Sequence, residues 1–164
     1  MDVRAIFGIS VVSSFAGSAA AAKLYVWPWL RNRDRCKGLA SLVAPHMFLR
    51  FIGLSFLVPG LVSPALPRAF GAPAAYGDFV AGILAIFATI ALAKNLSWAI
   101  GAVWVFNIWG AADLLFAFYE GPHAGIHPDP EMLGAAFYLV TAIVPPLLVT
   151  HFLIFGLLLR SKAS

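Results

Sequence analysis

The stretch from Trp98 to Tyr119, WAIGAVWVFNIWGAADLLFAFY, is apolar over almost its whole length. A helix rises about 1.5 Å per residue, so a helix of this length crosses a hydrocarbon layer about 30 Å thick. Asp113 is its one side chain that carries a charge at neutral pH, and apolar residues precede and follow it. The stretch therefore predicts a transmembrane helix with a charged residue in its interior.

The composition of the whole chain agrees with this interpretation. Of its 164 residues, 62% are hydrophobic and 11% are charged, and the mean hydropathy is +0.90. A soluble domain is about half apolar and a quarter charged. Few charges and many aromatic residues exclude a disordered chain, and the single cysteine, Cys36, excludes a disulfide scaffold. We expect an all-α, polytopic membrane helix bundle that forms one domain, residues 1–164.

Five segments are long and apolar enough to be transmembrane helices. We place them at about 6–27, 39–64, 76–93, 98–119 and 132–159. A four-span alternative arises because Met1–Arg4, an apolar run and Ala19–Ala22 resemble a cleaved secretory signal. The basic loop after the first span would then face outward, against the positive-inside rule, so we prefer five spans.

Positive charges predict the orientation. They lie between the first and second spans, between the third and fourth, and after the fifth (Arg31–Lys37, Lys94, Arg160 and Lys162). The connection 64–78 holds one arginine, and the loop 120–131 is acidic. Lys and Arg accumulate in cytoplasmic loops, so we expect the N-terminus outside and the C-terminus in the cytoplasm of a bacterium, across its inner (plasma) membrane. The net charge of +4 then reflects topology, and we expect no nucleic-acid partner.

Ionisable and amide side chains within the spans define the candidate site, because burying them in lipid is expensive. His46 and Arg50 are four residues apart and share a helix face, which Gly53 and Gly60 nearly continue. A rise of 1.5 Å per residue puts His46, Asn107 and His151 at a similar depth, with Arg50 within reach of Asp113. The predicted ligand-binding residues are His46, Arg50, Asn107, Asp113 and His151. A purely structural ion pair is the alternative.

Four functions are compatible with this cluster, and they leave open whether the protein is an enzyme. The first is binding of, or action on, a small lipophilic ligand between the helices, with Arg50 holding an anionic or carbonyl group. The second is an accessory or assembly subunit of a larger membrane complex. Small residues of the first span would then contact a partner protein or a second copy, because they allow close helix approach (Ser10, Ser13, Ser14, Gly17, Ser18 and Ala21).

The third function is a small oligomeric transporter or channel, in which Pro145-Pro146 would kink the fifth span. The fourth is a b-type haem protein with His46 and His151 as axial ligands, because helix bundles build cofactor sites from facing helices. Haem is the one cofactor that the sequence brings into consideration. The tryptophans of the fourth span would either wall a cavity or pack in the core (Trp98, Trp104 and Trp109).

We expect no metal site in the loop between the last two spans. His123 and His127 are four residues apart, and carboxylates lie nearby. However, Pro122, Gly125 and Pro128 prevent a regular helix, so this spacing does not put both imidazoles on one face. We interpret the loop as solvated and acidic.

The segment Leu49–Leu57, LRFIGLSFL, is followed by a proline-rich loop and a further apolar span. This arrangement resembles the start of DoxX-like small membrane proteins, over about a third of the chain. The acidic residue that is usual in the following span of that family has no clear counterpart here. We therefore carry over no site residues from the resemblance.

Overall fold

The computed structural model of the chain describes residues 2–126 and 129–160. Its regular secondary structure is helical, as expected, and is dominated by five long helices. These are α1 (Val3–Arg31), α2 (Arg35–Leu57), α3 (Arg68–Ala93), α4 (Ala99–His123) and α5 (Ala136–Leu159), and each is long and apolar enough to cross a membrane. A short 3-10 turn, Pro130–Leu133, precedes α5.

The helix boundaries differ from the predicted spans at several points, and three of these differences have a clear local cause. The second span is predicted to reach residue 64, but α2 ends at Leu57 because Val58 is extended and Gly60 follows in a turn with φ +86°. Gly60 therefore does not continue the polar face of α2. The third span is predicted to begin at residue 76, but α3 already begins at Arg68, after the extended Pro67. The fifth is predicted to begin at residue 132, but Gly134, at φ +51°, separates the 3-10 turn from α5.

Three of the long helices depart locally from α-helical geometry. Two of them, α1 and α5, do so just before prolines, and α2 does so from Arg50 onward. α1 contains a π-helical turn at Ala22–Val26, just before Pro28, and α5 contains one at Leu139–Ile143, just before Pro145-Pro146. Proline lacks an N–H and clashes with the preceding turn, so a local widening of the helix accommodates it. α2 tightens to a 3-10 helix over Arg50–Leu57. Such a long 3-10 stretch within a helix is uncommon and often marks a functional region.

Helices α2 to α5 form the core of the bundle, and α1 lies outside it. In the most apolar window of each core helix 39–44% of the residues are buried, but in α1 only 11% are. α1 packs mainly on α5 and on the Pro130–Leu133 turn. The small residues Ser13 and Gly17 of α1 are exposed, and nothing lies within 4 Å of a Cβ built on Gly17. Part of the predicted small-residue face is therefore not used inside the bundle.

The two connections at one end of the bundle are bonded to each other. Ala135 donates its N–H to the carbonyl of Leu61 at 2.7 Å, and Ser63 donates to that of Met132 at 3.0 Å. Gly134 makes this approach possible, since a Cβ there would overlap the Leu61 carbonyl and its φ is positive. We call this the acidic end, because it carries Glu120, Asp129 and Glu131. The basic end is the opposite one, formed by the Arg31–Lys37 loop, Lys94 and Arg160.

Two apolar clusters fill the ends of the bundle. The cluster at the acidic end includes Phe7, Phe56, Phe70, Leu114 and Leu133. The cluster at the basic end includes Leu39, Val43, Ala88, Phe106 and Ile154. Apart from Thr141, which lies within the cluster at the acidic end, the buried polar residues of each core helix fall between members of these two clusters. The polar residues therefore form a layer in the middle of the bundle, where no end group or loop can supply hydrogen bonds.

Candidate functional site

Six polar side chains from all four core helices converge in this middle layer. Four of them are fully buried, at 0% exposure: His46 and Arg50 of α2, Asn107 of α4 and His151 of α5. Asp78 of α3 is 6% exposed, and the side chain of Asp113 of α4 is 11% exposed. We call these six residues the ion cluster.

Arg50 is the centre of the ion cluster. Its Nη1 donates to Oδ1 of Asp78 at 2.5 Å and to Oδ2 of Asp113 at 2.9 Å. Its Nη2 donates to the Gly110 carbonyl at 2.6 Å and to Nε2 of His151 at 2.9 Å. A buried guanidinium is tolerated only when its charge and its N–H groups are matched in this way. Arg50 therefore joins α2 to all three of the other core helices.

The hydrogen bonds of His151 assign its tautomer. Nε2 faces the N–H of Arg50 and must accept, so the ring proton lies on Nδ1. Nδ1 lies 2.7 Å from Oδ1 of Asn107, to which it donates, and Nδ2 of Asn107 donates to the His151 carbonyl at 3.2 Å. An imidazolium would place two donors against each other at Arg50. The network thus holds His151 as a neutral acceptor.

His46 has the opposite tautomer. The Thr150 hydroxyl donates to the Leu147 carbonyl at 2.7 Å, so its oxygen accepts from Nε2 of His46 at 2.8 Å. Nδ1 of His46 is then a buried acceptor that has no hydrogen-bond partner among the described residues, and Nε of Arg50 is a buried donor without one. The His46 ring lies against the His151 ring, with centroids 4.6 Å apart. His46 therefore joins the cluster by ring contact rather than by an ion pair.

At each interface between successive core helices, a glycine of one helix lies against an ion-cluster side chain of the next. A Cβ on Gly53 of α2 would overlap the Asp78 carboxylate, and one on Gly77 of α3 would overlap that of Asp113. A Cβ on Gly110 of α4 would lie 2.6 Å from Cε1 of His151 and 2.9 Å from Nη2 of Arg50. Small residues let helix backbones approach closely. These three glycines create the space that the polar side chains occupy.

An apolar cavity of about 200 Å³ lies beside the ion cluster, towards the acidic end. All five helices contribute to its wall, which is largely aromatic and aliphatic (Phe7, Phe56, Phe70, Leu114, Phe118 and Val140 among others). Asp78 and Asp113 are the charged residues that line it, and Arg50 lies behind them. Any molecule in the cavity therefore meets carboxylates rather than the guanidinium.

The formal charges of the ion cluster do not balance. With His151 neutral, it holds one guanidinium and two carboxylates, and the described residues add no further ion pair to either acid. Burying net charge is costly. The cluster therefore favours an additional proton or a positively polarised group at its carboxylates.

A family model described as "Domain of unknown function (DUF8737)" matches residues 6–159 and so includes the whole ion cluster. The chain belongs to this family. No curated protein and no solved structure matches the chain. The resemblance of Leu49–Leu57 to DoxX-like proteins has no counterpart among these comparisons.

The structure brings together all five of the residues predicted from the sequence, and it adds Asp78. The expected pair of Arg50 and Asp113 is confirmed at 2.9 Å. Asp78 is missing from the predicted site because it lies at the predicted boundary, where the connection 64–78 overlaps the start of the span 76–93, whereas α3 already begins at Arg68. Asp78 is thus an acidic residue in α3, the helix that follows the Leu49–Leu57 segment, although we predicted no clear acidic counterpart in that span. A signal was available, since apolar residues flank Asp78 on both sides from Phe70 onward.

The two histidines do not fit axial haem coordination. Two imidazoles bonded to one metal ion from opposite sides, each at about 2 Å, hold their centroids more than about 6 Å apart. Those of His46 and His151 are 4.6 Å apart, with no space for a macrocycle between them. Both ring nitrogens of His151 are also engaged, by Arg50 and Asn107.

The remaining candidates from the sequence are not part of the ion cluster. Trp98 and Trp109 are about half exposed, Trp104 packs on Phe155, and none of the three lines the cavity. His123 ends α4, which continues through Pro122 past the predicted end at residue 119. His127 lies outside the described residues. Within the described part of the chain, no group of three His, Cys, Asp or Glu residues is arranged to hold a metal ion.

Proposed function

We propose that this protein is an integral membrane protein that binds a small lipophilic molecule between its helices, with the polar end of that molecule at Asp78 and Asp113. A membrane location is supported by the five long apolar helices. It is also supported by the large apolar side chains on the outside of the bundle, since lipid is the solvent that tolerates them (Ile9, Phe48, Val105 and Phe152 among others).

The observation that carries the ligand proposal is an apolar cavity whose charged lining consists of two carboxylates. Ligand sites are mostly apolar and contain a few convergent polar groups that orient the ligand. Here Asp78 and Asp113 converge from neighbouring helices, and Arg50 fixes one oxygen of each. The positions of these acceptors are therefore set before a ligand arrives.

The size of the cavity limits the ligand. An engineered apolar cavity of about 150 Å³ binds benzene, and sites for drug-sized ligands begin at about 300 Å³. A volume of about 200 Å³ therefore suits one ring or one short chain. Access is easiest past α1, because this helix is weakly packed and a Cβ on its lining residue Gly8 would contact nothing within 4 Å.

The chemistry of the cavity lining favours a ligand that donates hydrogen bonds. Carboxylates accept hydrogen bonds, and the ion cluster carries one carboxylate more than it has cations. An amine, a hydroxyl or a phenol satisfies this lining, whereas a carboxylate ligand does not. This proposal differs from the expectation that Arg50 itself holds an anionic or carbonyl group.

Saturation-transfer NMR on the protein in nanodiscs tests the proposal with four small probes. We expect benzylamine and benzyl alcohol to bind more tightly than toluene, and benzoate not to bind. Ala117→Trp should abolish binding, because Ala117 lines the cavity. Ala112→Trp is the matched control, since Ala112 is exposed on the same helix. Equal binding to the two tryptophan variants, or tighter binding of benzoate, would contradict the proposal.

A second role, as a subunit that docks through α1, is favoured by the exposed Ser13 and Gly17. These residues leave α1 with a small-residue surface, and only 11% of its most apolar window is buried. Native mass spectrometry of protein released from mild detergent tests this role. A second chain that is retained by the unmodified protein and lost in Gly17→Leu would support it. A bare monomer would contradict it.

A further inference from the structure

A second concave surface lies at the basic end of the bundle. It is a groove of about 600 Å³ between α1, α2 and α5, on the far side of the ion cluster from the cavity. Most of its lining is apolar, and three hydroxyl residues, Ser18, Ser41 and Thr150, interrupt it. Tyr25 and Trp29 also line it. This groove is larger than the cavity that ends on the two carboxylates, and its lining contains no charged residue.

Two cations, Arg33 and Lys37, lie next to residues that line the groove and have no ion-pair partner among the described residues. The guanidinium of Arg33 lies over the ring of Trp29, 4.1 Å from its centroid. Lys37 lies one turn from Ser41, whose hydroxyl donates to the Lys37 carbonyl at 2.9 Å. The nearest acid in sequence, Asp34, uses Oδ1 to cap the first turn of α2. The described residues provide neither Arg33 nor Lys37 with a carboxylate within ion-pair distance.

We propose that this groove is a binding site for an anionic phospholipid, with one acyl chain along the groove and the phosphate between Arg33 and Lys37. Lys and Arg beside a groove at the end of a transmembrane bundle attract anionic headgroups. Tyr and Trp side chains prefer the headgroup level, which is where Tyr25 and Trp29 place the interface. The site rests on the proposed membrane location and is independent of the ligand cavity.

Charge argues for a lipid rather than for a second copy of the chain. A parallel copy that placed its α1 in the groove would bring its own Arg31–Lys37 loop to the same level. That loop holds four cations and one carboxylate, so the two loops would repel each other. A phospholipid with a negative phosphate and no compensating amine removes this repulsion and fills the apolar part of the groove as well.

A bound acyl chain would also connect α1 to the core. α1 supplies Ser18 to Trp29 on one wall of the groove, and α2 and α5 supply the other wall. Since α1 is the most weakly packed helix, occupancy of the groove should stabilise the protein measurably. Phosphatidylglycerol should therefore raise the midpoint of thermal unfolding in detergent more than phosphatidylcholine with the same acyl chains does.

The test is native mass spectrometry of delipidated protein in mild detergent, with phosphatidylglycerol and phosphatidylcholine added in turn. We expect phosphatidylglycerol to be retained on the order of tenfold more, because each cation near a headgroup contributes roughly one kcal/mol. The double variant Arg33→Gln/Lys37→Gln should lose this preference. Arg4→Gln/Arg68→Gln, which removes two cations at the acidic end, should keep it.

Two tryptophan variants test whether the lipid occupies the groove or is merely attracted by the surface charge. Ala21→Trp fills the groove, whereas Ala20→Trp places the same side chain on an exposed position that does not line it. We expect only Ala21→Trp to reduce retention of phosphatidylglycerol. Equal retention of the two lipids, unchanged retention in Ala21→Trp, or displacement by inorganic phosphate alone would overturn the proposal. A stable dimer that excludes the lipid would also overturn it. Ala117→Trp should leave lipid retention unchanged, so failure of the ligand cavity and failure of the groove are distinguishable.

Discussion

Gly77 of α3 lies directly against the carboxylate of Asp113 on α4, so closely that any side chain at position 77 would overlap it. The same pair of helices is linked nearby, where Nε1 of Trp109 donates to the Gly77 carbonyl at 3.2 Å. The position of Asp113, and with it one of the two carboxylates on Arg50, therefore depends on the absence of a methyl group on the neighbouring helix.

Gly77→Ala should destabilise the protein by about 2–4 kcal/mol, because the new methyl group displaces Asp113 from Arg50 and disturbs a buried ion pair. Gly101→Ala is the matched control. Nothing lies within 4 Å of a Cβ at Gly101, and alanine is favoured over glycine in a helix by up to about 1 kcal/mol. Unfolding titrations in mixed detergent micelles measure both. If the two variants are equally stable, then the close approach at Gly77 has no energetic role.

The two carboxylates on Arg50 should behave non-additively. Asp78→Asn or Asp113→Asn alone leaves one guanidinium with one carboxylate, so each single variant should fold. The double variant leaves a buried guanidinium with no carboxylate, which is strongly unfavourable. We expect its loss of stability to exceed the sum of the single losses by about 2 kcal/mol or more. A double-mutant cycle measures this coupling, and simple additivity would refute the charge-balance argument.

His46 and His151 should be neutral in opposite tautomers. Selective ¹⁵N labelling of histidine, with NMR in nanodiscs, should show a proton on Nε2 of His46 and on Nδ1 of His151. The acceptors Thr150 and Asn107 impose these positions. Asn107→Leu should release the His151 ring and change its tautomer, whereas His46 should keep its proton on Nε2 because Thr150 still accepts from it. Identical tautomers for the two residues would contradict the assignment.

Arg50→Lys should cost about 3 kcal/mol or more, although it keeps the charge. A lysine ammonium is a compact donor group and cannot match the planar set of bonds to Asp78, Asp113, Gly110 and His151. Arg35→Lys is the comparison, because Arg35 makes one side-chain bond, from Nη2 to the Leu158 carbonyl. Stability of Arg50→Lys equal to that of Arg35→Lys would show that only the charge at position 50 matters.

The helices and part of the ion cluster could be predicted from the sequence. The lengths and composition of the apolar segments predict five long helices, because a stretch of this kind has few alternatives to a helix. The spacing of His46 and Arg50 and the helical rise predict that Arg50 reaches Asp113, because local geometry alone sets their depths. The Pro145-Pro146 pair likewise predicts an irregular turn in α5.

Other features depend on how the helices pack against each other. Asp78 belongs to the ion cluster only because α2 brings Arg50 to it, and no local pattern in α3 contains that information. The cavity and the groove are spaces between helices, so their volumes follow from packing, not from any one segment. The choice of glycine at positions 53, 77 and 110 is interpretable only after the facing side chains are known. Local physics determined which segments are helical, whereas tertiary contacts decided which charges meet, because a buried charge is stable only beside a partner from another helix.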